Sequence, residues 1–137
     1  MRLDQFPNKA AAIEYLRAEK GCASAKDAGK YLFKHLPKES YYQDKIIKFL
    51  RDTYPTAFVW KAAAGPYSRQ GIPDVCAVIN GRYYGFEVKR PYIGVLSRIQ
   101  EQTIERIRVA GGVAAVVTFP EEVRKIIERT QADHRKG

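Results

Sequence analysis

The sequence predicts one mixed α/β domain of element order α-β-β-β-α-β-α, preceded by a helical extension, and three features predict it. An amphipathic stretch begins at Glu39, with Tyr42, Ile46, Phe49 and Leu50 on one side and Ile47 beside them. Two apolar segments then meet at Asn80-Gly81, a dipeptide suited to the positive φ angles of a two-residue hairpin turn. Finally, a capped helix opening at Ser97 stops near Gly111-Gly112 and feeds the apolar run 113–119, a buried strand reached through a helix.

The elements follow in order. Residues 8–19 place Ala10, Ala12, Ile13 and Leu16 at helical spacings, and Gly21 stands where such a helix stops. Ser24 caps a second helix through Ala28, Tyr31, Leu32 and Leu36, before Pro37 interrupts it. Residues 1–38 thus form an N-terminal helical extension. Two helices around a tight Gly turn are compatible with part of a helix-turn-helix, but no third helix is evident, and packing against the main domain is the expectation. The strong helix runs over 39–53 with Pro55 after it, followed by a strand over 57–62, the loop AAGPYSRQG over 63–71 and the hairpin strands. Pro120 starts a last helix, and the chain is expected to fray into a disordered tail over 131–137. The main domain is therefore placed at 39–130.

A chain of 137 residues with 45% hydrophobic and 28% charged residues can bury a real core. Its 24 Lys and Arg against 15 Asp and Glu give a formal charge of +9, which makes an extended polyanion the natural partner. The 2 cysteines, Cys22 and Cys76, are too few and too far apart for a disulfide framework or a zinc cluster. No stretch approaches the ~20 apolar residues of a membrane span, and the N-terminus carries charge where a signal peptide is apolar. An intracellular, cytoplasmic protein with no membrane partner is expected.

The hairpin turn carries the chemical argument. With two turn residues and no bulge, positions whose numbers sum to 161 face each other: Ile79 with Arg82, Cys76 with Gly85, Asp74 with Glu87. Directly opposed side chains have Cβ atoms roughly 5 Å apart, where two negative charges repel by about 3 kcal/mol at an effective dielectric near 20. A sheet built for stability alone would avoid that pair. A divalent cation between the oxygens removes the repulsion; a shared proton is the alternative. Lys89, two residues beyond Glu87, points to the same face. Acid, acid and amine together meet the needs of phosphodiester hydrolysis: oxygen ligands for a hard cation, and an ammonium to position water or steady developing charge. A solvated hairpin with a Glu87–Lys89 salt bridge is the competing reading, opposed by the apolar Val75, Ala77, Ile79, Phe86 and Val88.

Gly71-Ile72-Pro73-Asp74, Phe86-Glu87-Val88-Lys89 and Leu96-Ser97-x-x-Gln100 together resemble the VRR-NUC branch of the PD-(D/E)xK nucleases, over about residues 39–127. The resemblance implies a restriction-endonuclease-like α-β-β-β-α-β core that uses Mg2+ or Mn2+, with Asp74 and Glu87 as metal ligands and Lys89 as the catalytic lysine. It also implies a Glu on the helix before the first strand, commonly with a Gln four residues on; Glu39 and Gln43 look like that pair. Both prolong the buried stripe of Ile46, Ile47 and Leu50, so Glu39 is expected as a further catalytic residue and metal ligand, against a first-turn Glu favoured by the helix dipole. Gln100 fits a capping box with Ser97, and by resemblance also lies at the active-site edge. Lys61, Arg69 and Arg90, with Gln43, are the candidate nucleic-acid contacts, each basic residue also readable as a solvated flank. Tyr83, Tyr84 and Tyr92 offer aromatic faces nearby, and Trp60 is read as packing.

Small stand-alone proteins of the resembling family tend to be homodimers that cleave four-way (Holliday) junctions, and some are encoded by phage or prophage. The expectation is therefore a Mg2+- or Mn2+-dependent endonuclease on branched DNA, working as a homodimer. A flap, repair or restriction-type nuclease, and a DNA-binding module without catalysis, are the alternatives.

Overall fold

The computed structural model describes residues 2–62 and 70–136, with side chains through residue 133. Five α-helices and four strands are present among them: α1 (Lys9–Glu19), α2 (Ala25–His35), α3 (Glu39–Thr53), β1 (Phe58–Lys61), β2 (Val75–Ile79), β3 (Arg82–Val88), α4 (Arg98–Val109), β4 (Val113–Val117) and α5 (Pro120–Lys136), with a 3-10 turn at Leu3–Gln5. Leu3–Gln5 carries no periodicity from which it could have been expected.

The strands lie in the order β1-β2-β3-β4, antiparallel at the first two pairings and parallel at the third. Asn80 (φ 50°) and Gly81 (φ 79°) make the hairpin turn with the register their sequence predicts, Ile79 opposite Arg82 and Cys76 opposite Gly85. Alternation then sorts side chains onto two faces. One face, with Val59, Val75, Ala77, Ile79, Tyr84, Phe86, Val88 and Val117, forms the main core with Tyr42, Ile46, Ile47 and Leu50 of α3 and Val123 and Ile127 of α5. The other face carries Phe58 and Trp60 of β1, Cys76 and Val78 of β2, and Tyr83, Gly85 and Glu87 of β3. Helix α4 lies against β3 and β4 outside that core, with Ile104 buried.

The end of α5 departs from expectation. The tail expected from residue 131 begins as helix, because the Gln131 side chain is buried and fully engaged. Its amide donates to the Ile79 carbonyl and the Tyr84 hydroxyl, each at 3.0 Å, and its Oε1 accepts from Asn80 Nδ2 at 3.0 Å. Helix α5 thereby clamps the hairpin turn, which fixes the register of every residue further along β2 and β3.

The chain divides into two compact units: Met1–Lys38 with Arg90–Val95, and Glu39–Lys89 with Leu96–Gly137. The first has its own small core of Ala12, Leu16, Ala28, Leu32 and Leu36, against which Phe6, Tyr15, Tyr92 and Ile93 pack. Both of its helices start on side-chain caps, Ser24 as expected and Asn8 unannounced: the Asn8 side chain accepts from Ala11 N and Ser24 Oγ from Asp27 N. Residues 90–95 join this unit through Arg90, whose guanidinium donates to the carbonyls of Leu32, Phe33, Leu36 and Pro37 at the end of α2, and through Tyr92, whose hydroxyl accepts from Phe6 N and donates to Phe6 O. A cation at a helix C-terminus meets the last carbonyls and the negative end of the dipole, so Arg90 adds to the cap that the Leu36 N–H makes on the Leu32 carbonyl.

Candidate active site

All the residues that carry the proposed chemistry lie in the second unit, at the end of the sheet opposite the clamped turn. Antiparallel pairing of β2 with β3 runs from Ile79–Arg82 to Val75–Phe86 and ends there, since Pro73, at the next hydrogen-bonding position of the register, has no N–H to give. Asp74 takes over: its Oδ2 accepts the Val88 N–H at 2.9 Å, and its backbone carbonyl accepts from Ala62 N at 2.8 Å. The carboxylate is thus held by the backbone of the strand that bears Glu87. Gly85 makes this possible, since a Cβ there would stand 2.8 Å from the Pro73 ring. Sequence reading assigned no role to Pro73 or Gly85, although Gly within an apolar strand signals close approach by another chain segment.

Glu87 is the centre of the arrangement. It is 1% exposed, and its two oxygens have different surroundings. Oε1 accepts from Gln100 Nε2 at 2.6 Å and lies 3.7 Å from Lys89 Nζ. Oε2 is buried and receives no hydrogen bond. The acid beside it is Asp74, an acceptor like itself, so the pair is satisfied only by a proton or a cation between them. Burial foremost, then the Asp74 charge and the hydrogen bond it would share, push the Glu87 carboxyl up to about 8; Lys89 opposes the rise, and Glu39 adds to it. A buried acceptor with nothing to accept costs stability, and such a cost calls for an occupant.

Gln100 reconciles its two expected roles. Its Oε1 accepts from Ser97 N at 2.9 Å and its backbone N–H donates to Ser97 Oγ at 3.2 Å, completing the capping box. Its Nε2 remains for Glu87. One side chain both starts α4 and fixes the rotamer of the central carboxylate.

The other candidates are placed differently. Gln43 is buried on α3, 8% exposed, whereas Glu39, in the first turn, is partly buried and acts on Glu87 through its charge. Among the described residues no group of three or more His, Cys, Asp or Glu side chains has metal-holding geometry. Asp74 and Glu87 are the two carboxylates that lie side by side, and Glu39 reaches Glu87 through its charge. Lys61 points to the opposite face and pairs with Asp44 of α3 at 3.6 Å. Arg90, expected to contact phosphate, is committed to the end of α2 and stacks on Phe33 at 5.2 Å. Arg69 lies outside the described residues. Of the three tyrosines, Tyr84 is core, Tyr92 belongs to the first unit, and Tyr83 lies on the Glu87 face, its hydroxyl donating to Cys76 Sγ at 3.3 Å.

The second unit is a mixed four-strand sheet flanked by α3, α4 and α5. The chain shares its fold with a solved structure described as a VRR_NUC domain, which superposes with a TM-score of 0.50 at 24% identity, over 64% of this chain and 95% of that one. No protein-family model and no curated protein sequence matches the chain. No helix among the described residues is long and apolar enough to cross a membrane.

The raised Glu87 carboxyl has a consequence for stability. A group at about 8 in the fold and near its ordinary 4.5 when unfolded binds its proton more tightly in the folded state between those values. Its stabilising contribution is complete below pH ~4.5, falls as pH rises, and is lost above ~8. In chelator, the thermal midpoint is expected to drop between pH 5 and pH 9, and Glu87→Gln is expected to flatten that drop. Equal pH slopes in wild type and variant would contradict this.

Proposed function

We propose that this protein is a metal-dependent DNA endonuclease whose working groups are Asp74, Glu87, Lys89 and Gln100. The observation that carries the reading is the buried, unpartnered Glu87 Oε2 beside a second carboxylate and within the field of an ammonium. The Asp74–Glu87 pair fits Mg2+ or Mn2+, a hard cation that takes oxygen donors, and such an ion supplies Lewis acidity toward a phosphoryl oxygen and lowers the pKa of water.

The chain's own groups do the rest. Gln100 holds Glu87 Oε1, so the carboxylate presents Oε2 without a change of rotamer. The Val88 N–H holds Asp74 in the same way. The Lys89 amine, 15% exposed, lies where dielectric screening is weak, and there it orients the attacking water and steadies negative charge on the phosphate. The net charge of +9 draws the backbone in without reading its sequence.

Branched DNA, with a four-way junction foremost, is the substrate favoured by the resemblance of the motifs, and a homodimer presenting two such sites suits a two-fold junction. Labelled junction, flap, splayed and linear substrates, each offered with Mg2+, Mn2+ or chelator, test this reading. Junction cleavage that needs either metal is expected. DNA binding without cleavage of any substrate would leave a non-catalytic binding module instead, and cuts at one motif in linear DNA would indicate a restriction-type enzyme.

A further inference from the structure

The sheet face that carries Glu87 does not end at the carboxylates. Counting in rows across β1, β2 and β3, Ala62, Asp74 and Glu87 form the first row by register; Trp60, Cys76 and Gly85 the second; Phe58, Val78 and Tyr83 the third. Rows on one face repeat every two residues, about 7 Å, so Trp60 stands one row and Phe58 two rows from the acidic pair. Phe58 is 69% exposed and Val78, opposite it, 37%. The rings form a connected series, Phe58 to Trp60 at 5.3 Å and Trp60 to Tyr83 at 6.3 Å between centroids. A sheet face built only to be wet would not place a phenylalanine here.

The outer edge of β1 is cationic. Arg51 Nη2 donates to the outward-facing carbonyl of Val59 at 3.3 Å, which sets a guanidinium on that edge. An arginine on that carbonyl also obstructs the addition of a further strand, which weighs against a second copy pairing along β1. Positive charge along a strand edge with aromatic rings on the adjoining face is the combination that binds a nucleic-acid strand with its bases turned inward.

We propose that Phe58 and Trp60 form a stacking platform for unpaired bases next to the scissile phosphate, with Arg51 at the strand edge tracking the backbone, so that the enzyme selects DNA whose bases are unstacked at a branch. This rests on the nuclease reading for its direction toward Asp74 and Glu87, but the binding itself does not require cleavage. Trp60, read from sequence as packing, gains a second role. Duplex DNA keeps its bases stacked on one another and offers the platform nothing; a branch point or a single strand offers them free.

The chain has 1 tryptophan, so its emission reports Trp60 alone. Short oligo(dT) and a blunt duplex are titrated in chelator, with binding followed separately by anisotropy of end-labelled DNA. Saturable quenching by oligo(dT) and none by the duplex is expected. Phe58→Ala is expected to weaken oligo(dT) binding about 10-fold with an unchanged thermal midpoint, and Phe58→Tyr to restore it. Oligo(dT) that binds with no change in emission, or fails to bind, would overturn the proposal. So would self-association of the DNA-free protein that Phe58→Ala abolishes, since a second copy would then cover the face. Quenching by a protein that cleaves nothing would keep the platform and remove the nuclease reading; metal-dependent cleavage without quenching would do the reverse.

Discussion

Glu87→Gln is expected to abolish cleavage and at the same time stabilise the metal-free protein. The neutral amide keeps an oxygen for Gln100 and gains an N–H that can donate to the Asp74 carboxylate, which ends both the orphaned acceptor and the repulsion around it. Relief of one unsatisfied buried acceptor is worth about 1–3 kcal/mol, an upward shift of several degrees for a unit of this size, and it should be largest above pH 8. Loss of a charged metal ligand should cost cleavage roughly 10³-fold or more. Gain of stability with loss of activity is the signature of a group retained for chemistry. A residue serving the fold would lose both together, and a variant that melts earlier than wild type in chelator would assign Glu87 to the fold.

The neighbouring cations Lys89 and Arg90 are expected to respond in opposite ways. Lys89→Met keeps an aliphatic stem in a nearly buried position but removes the ammonium beside Glu87 Oε1, so cleavage should fall about 10²-fold with little change in thermal midpoint. Arg90→Ala removes four carbonyl contacts at the end of α2 and a ring contact with Phe33. Hydrogen bonds from a charged donor contribute ~1.5–3 kcal/mol, so faster hydrogen exchange across α2 is expected while Asp74, Glu87 and Lys89 stay as they are. Equal effects of the two substitutions on exchange and cleavage would contradict this division of labour.

These two adjacent residues also show where sequence reading succeeds and where it stops. Lys89 was legible because strand periodicity ties it to Glu87 and the Asn80-Gly81 turn ties Glu87 to Asp74; each step is local geometry. The element order and the caps at Ser24 and Ser97 were legible for the same reason. Arg90 was misread because its partners lie more than fifty residues away, and no local pattern announces that a loop after β3 closes the end of α2. Gln131 is a similar case: it follows the last strong apolar position of its helix, yet it holds the hairpin turn. Glu39 and Lys61 were placed on correct elements, but side-chain direction depends on packing between elements: one is partly buried and acts on Glu87 through its charge, and the other faces Asp44.

The central claim is that Asp74 and Glu87 share one divalent ion, and Mn2+ titration followed by electron paramagnetic resonance addresses it most directly. Wild-type protein should bind Mn2+ more tightly as pH rises toward 8, when the proton competing for Glu87 leaves, and Asp74→Asn and Glu87→Gln should each weaken binding at least about 10-fold. Unchanged Mn2+ affinity in both variants would mean that the two carboxylates face each other for some other reason.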